Sequence, residues 1–96
     1  MNKYESVIII KNNFSNEKLK EIISKVEKKI GEYAKITEKK DCGIKKLAYE
    51  IQNNKEGYYY LFQFEIEDNK ETEAIKEIER FYRITDEILR YITIKK

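Results

Sequence analysis

Apolar positions alternate with polar ones along much of this chain, and elsewhere recur every three to four residues. In residues 3–10, KYESVIII, Tyr4, Ser6, Ile8 and Ile10 fall on one side of an extended chain. Glu5, Val7 and Ile9 fall on the other. Both sides turn apolar toward the end, which predicts a strand inside a sheet. Asn12 and Asn13 break it. Ser15 follows as an N-cap, with Phe14 placed as a hydrophobic staple. Leu19, Ile22, Ile23, Val26 and Ile30 then keep helical spacing, and Gly31 is expected to close the helix.

Residues 34–41 read as a second strand with Ile36 inward, and Gly43 as a bend or bulge. The strand resumes over Lys45–Ile51, where Leu47, Tyr49 and Ile51 alternate. Asn53, Asn54 and Gly57 are expected to form a turn. In residues 58–67, YYYLFQFEIE, Tyr58, Tyr60, Phe62, Phe64 and Ile66 share the face expected to be core. Tyr59, Leu61, Gln63, Glu65 and Glu67 share the other. Asp68 or Asn69 is placed to cap a second helix, whose first-turn acids suit its dipole. Ile75, Ile78 and Tyr82 line that helix's inner side, flanked by Ala74 and Phe81. A last strand is expected near Leu89–Ile94; apolar residues on both its faces leave the register open. The order predicts an α+β, ferredoxin-like split βαβ fold (β-α-β-β-α-β). Two helices would cover one face of a four-stranded antiparallel sheet, leaving the other open.

Composition narrows the chemistry. Ninety-six residues are read as one domain, 1–96. Charged residues make up 40% and hydrophobic ones 41%, and eight Tyr and four Phe supply core material. No apolar run reaches the ~18–20 residues of a membrane-spanning helix. The apolar stretch near the start is too short for a signal peptide, which places the chain in the cytoplasm. There is no His, and Cys42 is the one cysteine. That removes the usual general base, an internal disulfide and any multi-cysteine zinc site. The net charge of +2 hides an asymmetry: the first fifty residues carry 12 Lys against 8 acids. Lys35, Lys39, Lys40, Lys45 and Lys46 crowd that half, a hint of an anionic partner against the plainer reading of a solvated strand.

Glu65 and Glu67 read as solvated surface and Asp86 as a turn residue. Gly31, Gly43 and Gly57 stand apart, so no glycine-rich phosphate loop exists. KEGYYYLFQF is loosely similar to the aromatic strand of RNA-recognition motifs, but only Tyr59 would face the open side. Val7, Ile9, Tyr59 and Leu61 together make a mixed apolar patch, read equally as a docking surface for a protein partner or as ordinary exposed apolar groups.

Four stretches together resemble one family. Tyr4-Glu5 matches an opening Tyr-Glu, and Gly43-Ile44-Lys45-Lys46-Leu47-Ala48-Tyr49-Glu50-Ile51 resembles a Gly, basic pair, Leu-Ala-Tyr-Pro-Ile motif. Gly57-Tyr58-Tyr59-Tyr60 is similar to a Gly-Tyr-aromatic strand start. Glu79-Arg80 with Tyr82-Arg83-Ile84-Thr85-Asp86-Glu87-Ile88-Leu89-Arg90 is similar to a helix-end and last-strand signature. By these, over residues 3–95, the chain resembles the bacterial small-subunit ribosomal protein S-six family. Glu50 departs from the family's Pro, and the polar C-terminal tail of many members is missing after Lys96.

The resemblance implies a structural protein of the 30S subunit, not an enzyme and with no cofactor. It implies binding to small-subunit ribosomal RNA jointly with ribosomal protein S-eighteen. By the matched positions, Lys45 and Lys46 are assigned to phosphates beside Tyr49, with Lys3 and Tyr4 assisting from a nearby sheet edge. Core packing is an equal reading for Tyr49. Arg80, Arg83 and Arg90 would serve RNA or partner. Two other readings compete. One is a ferredoxin-like module that self-associates through its open sheet and senses a small ligand. The other, an acylphosphatase, wants Gly and Arg after the first strand, and Lys11–Ser15 offers neither.

Overall fold

The computed structural model describes residues 1–96. Its elements are β1 (Asn2–Lys11), α1 (Asn16–Tyr33), β2 (Lys35–Ile51), β3 (Asn54–Ile66), α2 (Glu71–Ile84) and β4 (Ile88–Lys95). The sheet is antiparallel throughout, in the order β2-β3-β1-β4. This is the ferredoxin-like order expected from the polarity pattern. No helix is long and apolar enough to cross a membrane.

Strand parity sets the two faces. Tyr4, Ser6, Ile8 and Ile10 of β1 lie opposite Phe64, Phe62, Tyr60 and Tyr58 of β3. These positions face the helices, where Ile22, Val26, Ile30, Ala74, Ile78 and Tyr82 complete the core. Ser6 is the one buried polar side chain, and it is satisfied: its hydroxyl lies 2.8 Å from that of Tyr82 and 3.1 Å from that of Thr93. Burial pushes the Tyr82 phenol well above its ordinary pKa, so it stays neutral.

Four local expectations are corrected. Gly31 does not end α1; the helix runs on to Tyr33, and the Ala34 N–H closes it on the Ile30 carbonyl. Tyr33 packs against the core, which offsets the ~1 kcal/mol that a helical glycine costs. The β2–β3 turn is Gln52–Asn53, both at positive φ (47° and 66°), rather than a turn around Asn53, Asn54 and Gly57. Ile51 opposite Asn54 makes it a two-residue hairpin, which needs left-handed backbone at both central residues. Gly57 is a buried β3 residue; a Cβ there would stand 2.4 Å from Ile9 Cγ2. Neither Asp68 nor Asn69 caps α2: both sit in a 3-10 turn, and Lys70 precedes the helix without a side-chain cap. Asp68 instead accepts from Asn2 Nδ2 at 2.8 Å.

The residues read as two strand pieces are one 17-residue β2, bulged between Ile36 and Glu38, Asp41 and Gly43, and Lys46 and Ile51. Gly43 takes φ +76° at its bulge, as a glycine tolerates. The register of β4 is fixed by Val7 opposite Ile92 and Glu5 opposite Ile94.

A polar latch ties the ends of β1 and β4 to α2. The Glu71 carboxylate accepts from the Tyr4 hydroxyl and from Asn2, and pairs with Lys95 at 3.0 Å. The Tyr4 bond, then Lys95, hold the Glu71 carboxyl below its usual range. Burial, then Glu71, push the Tyr4 phenol up to about 12. The Glu71 contribution is therefore present above the unfolded-state carboxylate pKa and lost as pH falls through the lowered folded value. The Tyr4 contribution is full below pH ~10 and is lost as pH rises toward about 12. Glu71→Gln should flatten the acid side of a stability-versus-pH curve from urea melts. An unchanged acid side would show that the latch does not couple to folding.

Candidate nucleic-acid and partner interface

The face away from the helices is built in cross-strand rows. One row runs Lys40, Leu61, Val7, Ile92; the next runs Gly43, Tyr59, Ile9, Arg90. Val7, Ile9, Tyr59 and Leu61 therefore meet as neighbours at the centre of the open face, as their alternation predicts. Ile92 and Ile94 extend the patch and are 60% and 54% exposed. These two lay hidden in a strand apolar on both sides; the cue to their place is their parity with Arg90. Glu5, held by Lys96 at 2.8 Å, borders the patch, and this ion pair lowers the Glu5 carboxyl's pKa.

Cations collect at one end. Lys45 lies opposite Gly57, which lies opposite Lys11. The Lys45 ammonium stands 5.6 Å from the Tyr59 ring centroid. Arg90 stands one row away, its guanidinium carbon 5.0 Å from the ring centroid of Tyr49. Tyr49 is 57% exposed, so the core-packing alternative for it fails. Lys11 was missed from sequence; its odd-numbered parity with Val7 and Ile9 was the available signal.

The other assigned residues scatter. Lys46 pairs with Glu56 and alternates to the opposite face from Lys45. Lys3 lies opposite Glu65, eight residues along β1 from Lys11, so roughly 27 Å separates it from the Lys45 end. The expectation that Lys3 and Tyr4 share an edge with the basic pair is thus corrected. Tyr4 is 8% exposed, stacks on Phe64 at 5.9 Å and gives its hydroxyl to Glu71. It is a core residue, placed by its even parity with Ile8. Arg80 and Arg83 belong to α2, on the covered side of the sheet, and Arg80 is paired with Glu77 at 3.6 Å. Lys39 also points to the helices, pairing with Glu27 at 3.0 Å; that pair raises its pKa.

No three metal-ligating side chains converge. A hollow of about 560 Å³ lies along α2 beside Tyr4, Ile75, Glu79 and Arg83. It is a surface groove with opposite charges side by side, not an enclosed catalytic pocket.

The family model described as Ribosomal protein S6 matches residues 3–95. The chain belongs to the ribosomal protein S6 family. Among its relatives, the small ribosomal subunit protein bS6 of Phytoplasma australiense is 39% identical, with both chains fully covered. The bS6 of Christiangramia forsetii is 36% identical, covering 99% of this chain and 82% of that one. The crystal structure of 30S ribosomal protein S6 from Thermotoga maritima superposes with a TM-score of 0.89. It is 34% identical and covers 99% of this chain and 87% of its own. The S6 structure of Thermotoga maritima shares this chain's fold over nearly its whole length.

Proposed function

We propose that this protein is a structural constituent of the small ribosomal subunit that binds small-subunit ribosomal RNA jointly with ribosomal protein S-eighteen. It acts without catalysis or cofactor. The observation that carries this reading is the open face: an apolar centre of Val7, Ile9, Tyr59 and Leu61, extended by Ile92, with cations at one end. The centre suits a protein surface and the basic end suits phosphates. The net charge of +2 limits how many phosphates the chain neutralises alone. Joint binding then follows from linkage, because each component presents the other with added contacts.

Lys45 and Arg90 lead the RNA contacts, with Tyr49 beside them; Lys46, on the opposite face of β2, is assigned a lesser role. Arg80, Arg83 and Lys3 stand elsewhere on the surface and are assigned lesser roles. The test is filter binding to a central-domain fragment of small-subunit ribosomal RNA at two salt concentrations, with and without S-eighteen. Tight binding only with S-eighteen is expected. Lys45→Ala with Lys46→Ala should reduce the salt slope by roughly one to two units; an unchanged slope removes both from the RNA surface. A chain that self-associates and ignores both RNA and S-eighteen would overturn the reading in favour of a homodimeric module.

A further inference from the structure

The outer part of the β2–β3 hairpin bends because four residues, Leu47–Glu50, oppose Lys55 alone. Leu47 settles over Gly57, its Cδ2 3.5 Å from where a Cβ would stand, beside Ile9 of the open face. Tyr49 is thereby carried across to β4, where its ring meets the guanidinium of Arg90. Beside it stands the Lys45–Tyr59 pair, joined to Arg90 through Ile9 in one cross-strand row. Neither Lys45 nor Arg90 takes part in any ion pair of the protein.

An exposed aromatic ring beside Arg90, with Lys45 over the neighbouring Tyr59 ring and neither cation ion-paired, suits a ligand with a flat π face and adjacent negative charge. An unpaired nucleotide offers both, whereas paired bases in an RNA helix offer no free face. The aliphatic centre at Val7 and Ile92 lacks this combination and suits protein side chains instead. We infer that the Tyr49–Arg90 corner is a stacking site for one unpaired nucleotide of RNA. Its base lies on Tyr49 and its flanking phosphates on Arg90 and Lys45. The inference rests on the RNA-binding reading above and names how that contact is made.

The test compares wild type, Tyr49→Phe and Tyr49→Leu on the same ribosomal RNA fragment with S-eighteen present, at two salt concentrations. Tyr49→Phe keeps the ring and should bind within about twofold of wild type. Tyr49→Leu should bind about 10- to 100-fold more weakly, with the salt slope unchanged, because stacking releases no counterions. Thermal unfolding checks that both variants keep the wild-type fold. Wild-type affinity in Tyr49→Leu overturns the stacking site and leaves RNA binding standing. No binding by wild type itself overturns the RNA reading and the stacking site with it. An equal defect of Tyr49→Leu in pairing with S-eighteen without RNA would assign the ring to the protein partner and overturn the inference.

Discussion

Phe62→Ala is expected to lower the stability of this protein by about 3–5 kcal/mol. Phe62 is fully buried on the central strand β3, its ring 5.0 Å from that of Tyr60, and lies opposite Ser6 and Lys39 in the neighbouring strands. Truncation removes an aromatic side chain from the water-free layer between sheet and helices. It also leaves a cavity that the flanking Phe64 and Ile8 cannot close without leaving their own positions. At the lower end of the ~5–15 kcal/mol stability usual for a domain, the variant would stand near its unfolding midpoint. The control sits three residues away on the other face. Tyr59→Ala loses cross-strand contact with Ile9 and Lys45 and should cost about 1–2 kcal/mol. Urea midpoints of the two variants measure the difference. Equal losses would mean that β3 does not divide its side chains between a buried and an open face.

Gly57→Val should cost about 3 kcal/mol, at the upper end of what overpacking does. The reason is space, not backbone freedom: the first added carbon already stands 2.4 Å from Ile9 Cγ2, and Val adds two more. Ile9 is β-branched and cannot swing Cγ2 away without leaving its preferred rotamer. Ile9→Ala removes that methyl, so the double variant should be more stable than the sum of the two single losses predicts, by at least about 1 kcal/mol. Strict additivity would sink the proposed clash. The same substitution should displace Leu47 and, with it, Tyr49 from Arg90, so RNA binding should weaken even where the protein remains folded.

These two variants also separate what could be read along the chain from what could not. Period-two alternation places Phe62 in the core; it is a property of neighbouring residues and survives in any sheet that buries one face. The same alternation marks β1, β3 and the central patch of Val7, Ile9, Tyr59 and Leu61, while spacing of three to four residues marks α1 and α2. Gly57 reads as a turn residue because it closes a polar run that includes Asn53 and Asn54. Its actual role depends on Ile9, forty-eight residues away in the chain, and no local pattern carries that. Lys45 and Lys46 read as one basic pair, yet strand alternation sends them to opposite faces. Tyr4 was grouped with them by its matched motif, and its parity with Ile8 decided otherwise.

Local pattern along the chain carries the order and type of the elements, the buried faces of α1, α2, β1 and β3, and the family. Each of these rests on periodicity or on residues close together in the chain. The register of β4, the bend of the hairpin and the meeting of Tyr49 with Arg90 arise only in the folded chain. Those depend on strand pairing and packing between distant segments, where one bulge or one missing Cβ redirects a side chain across the sheet.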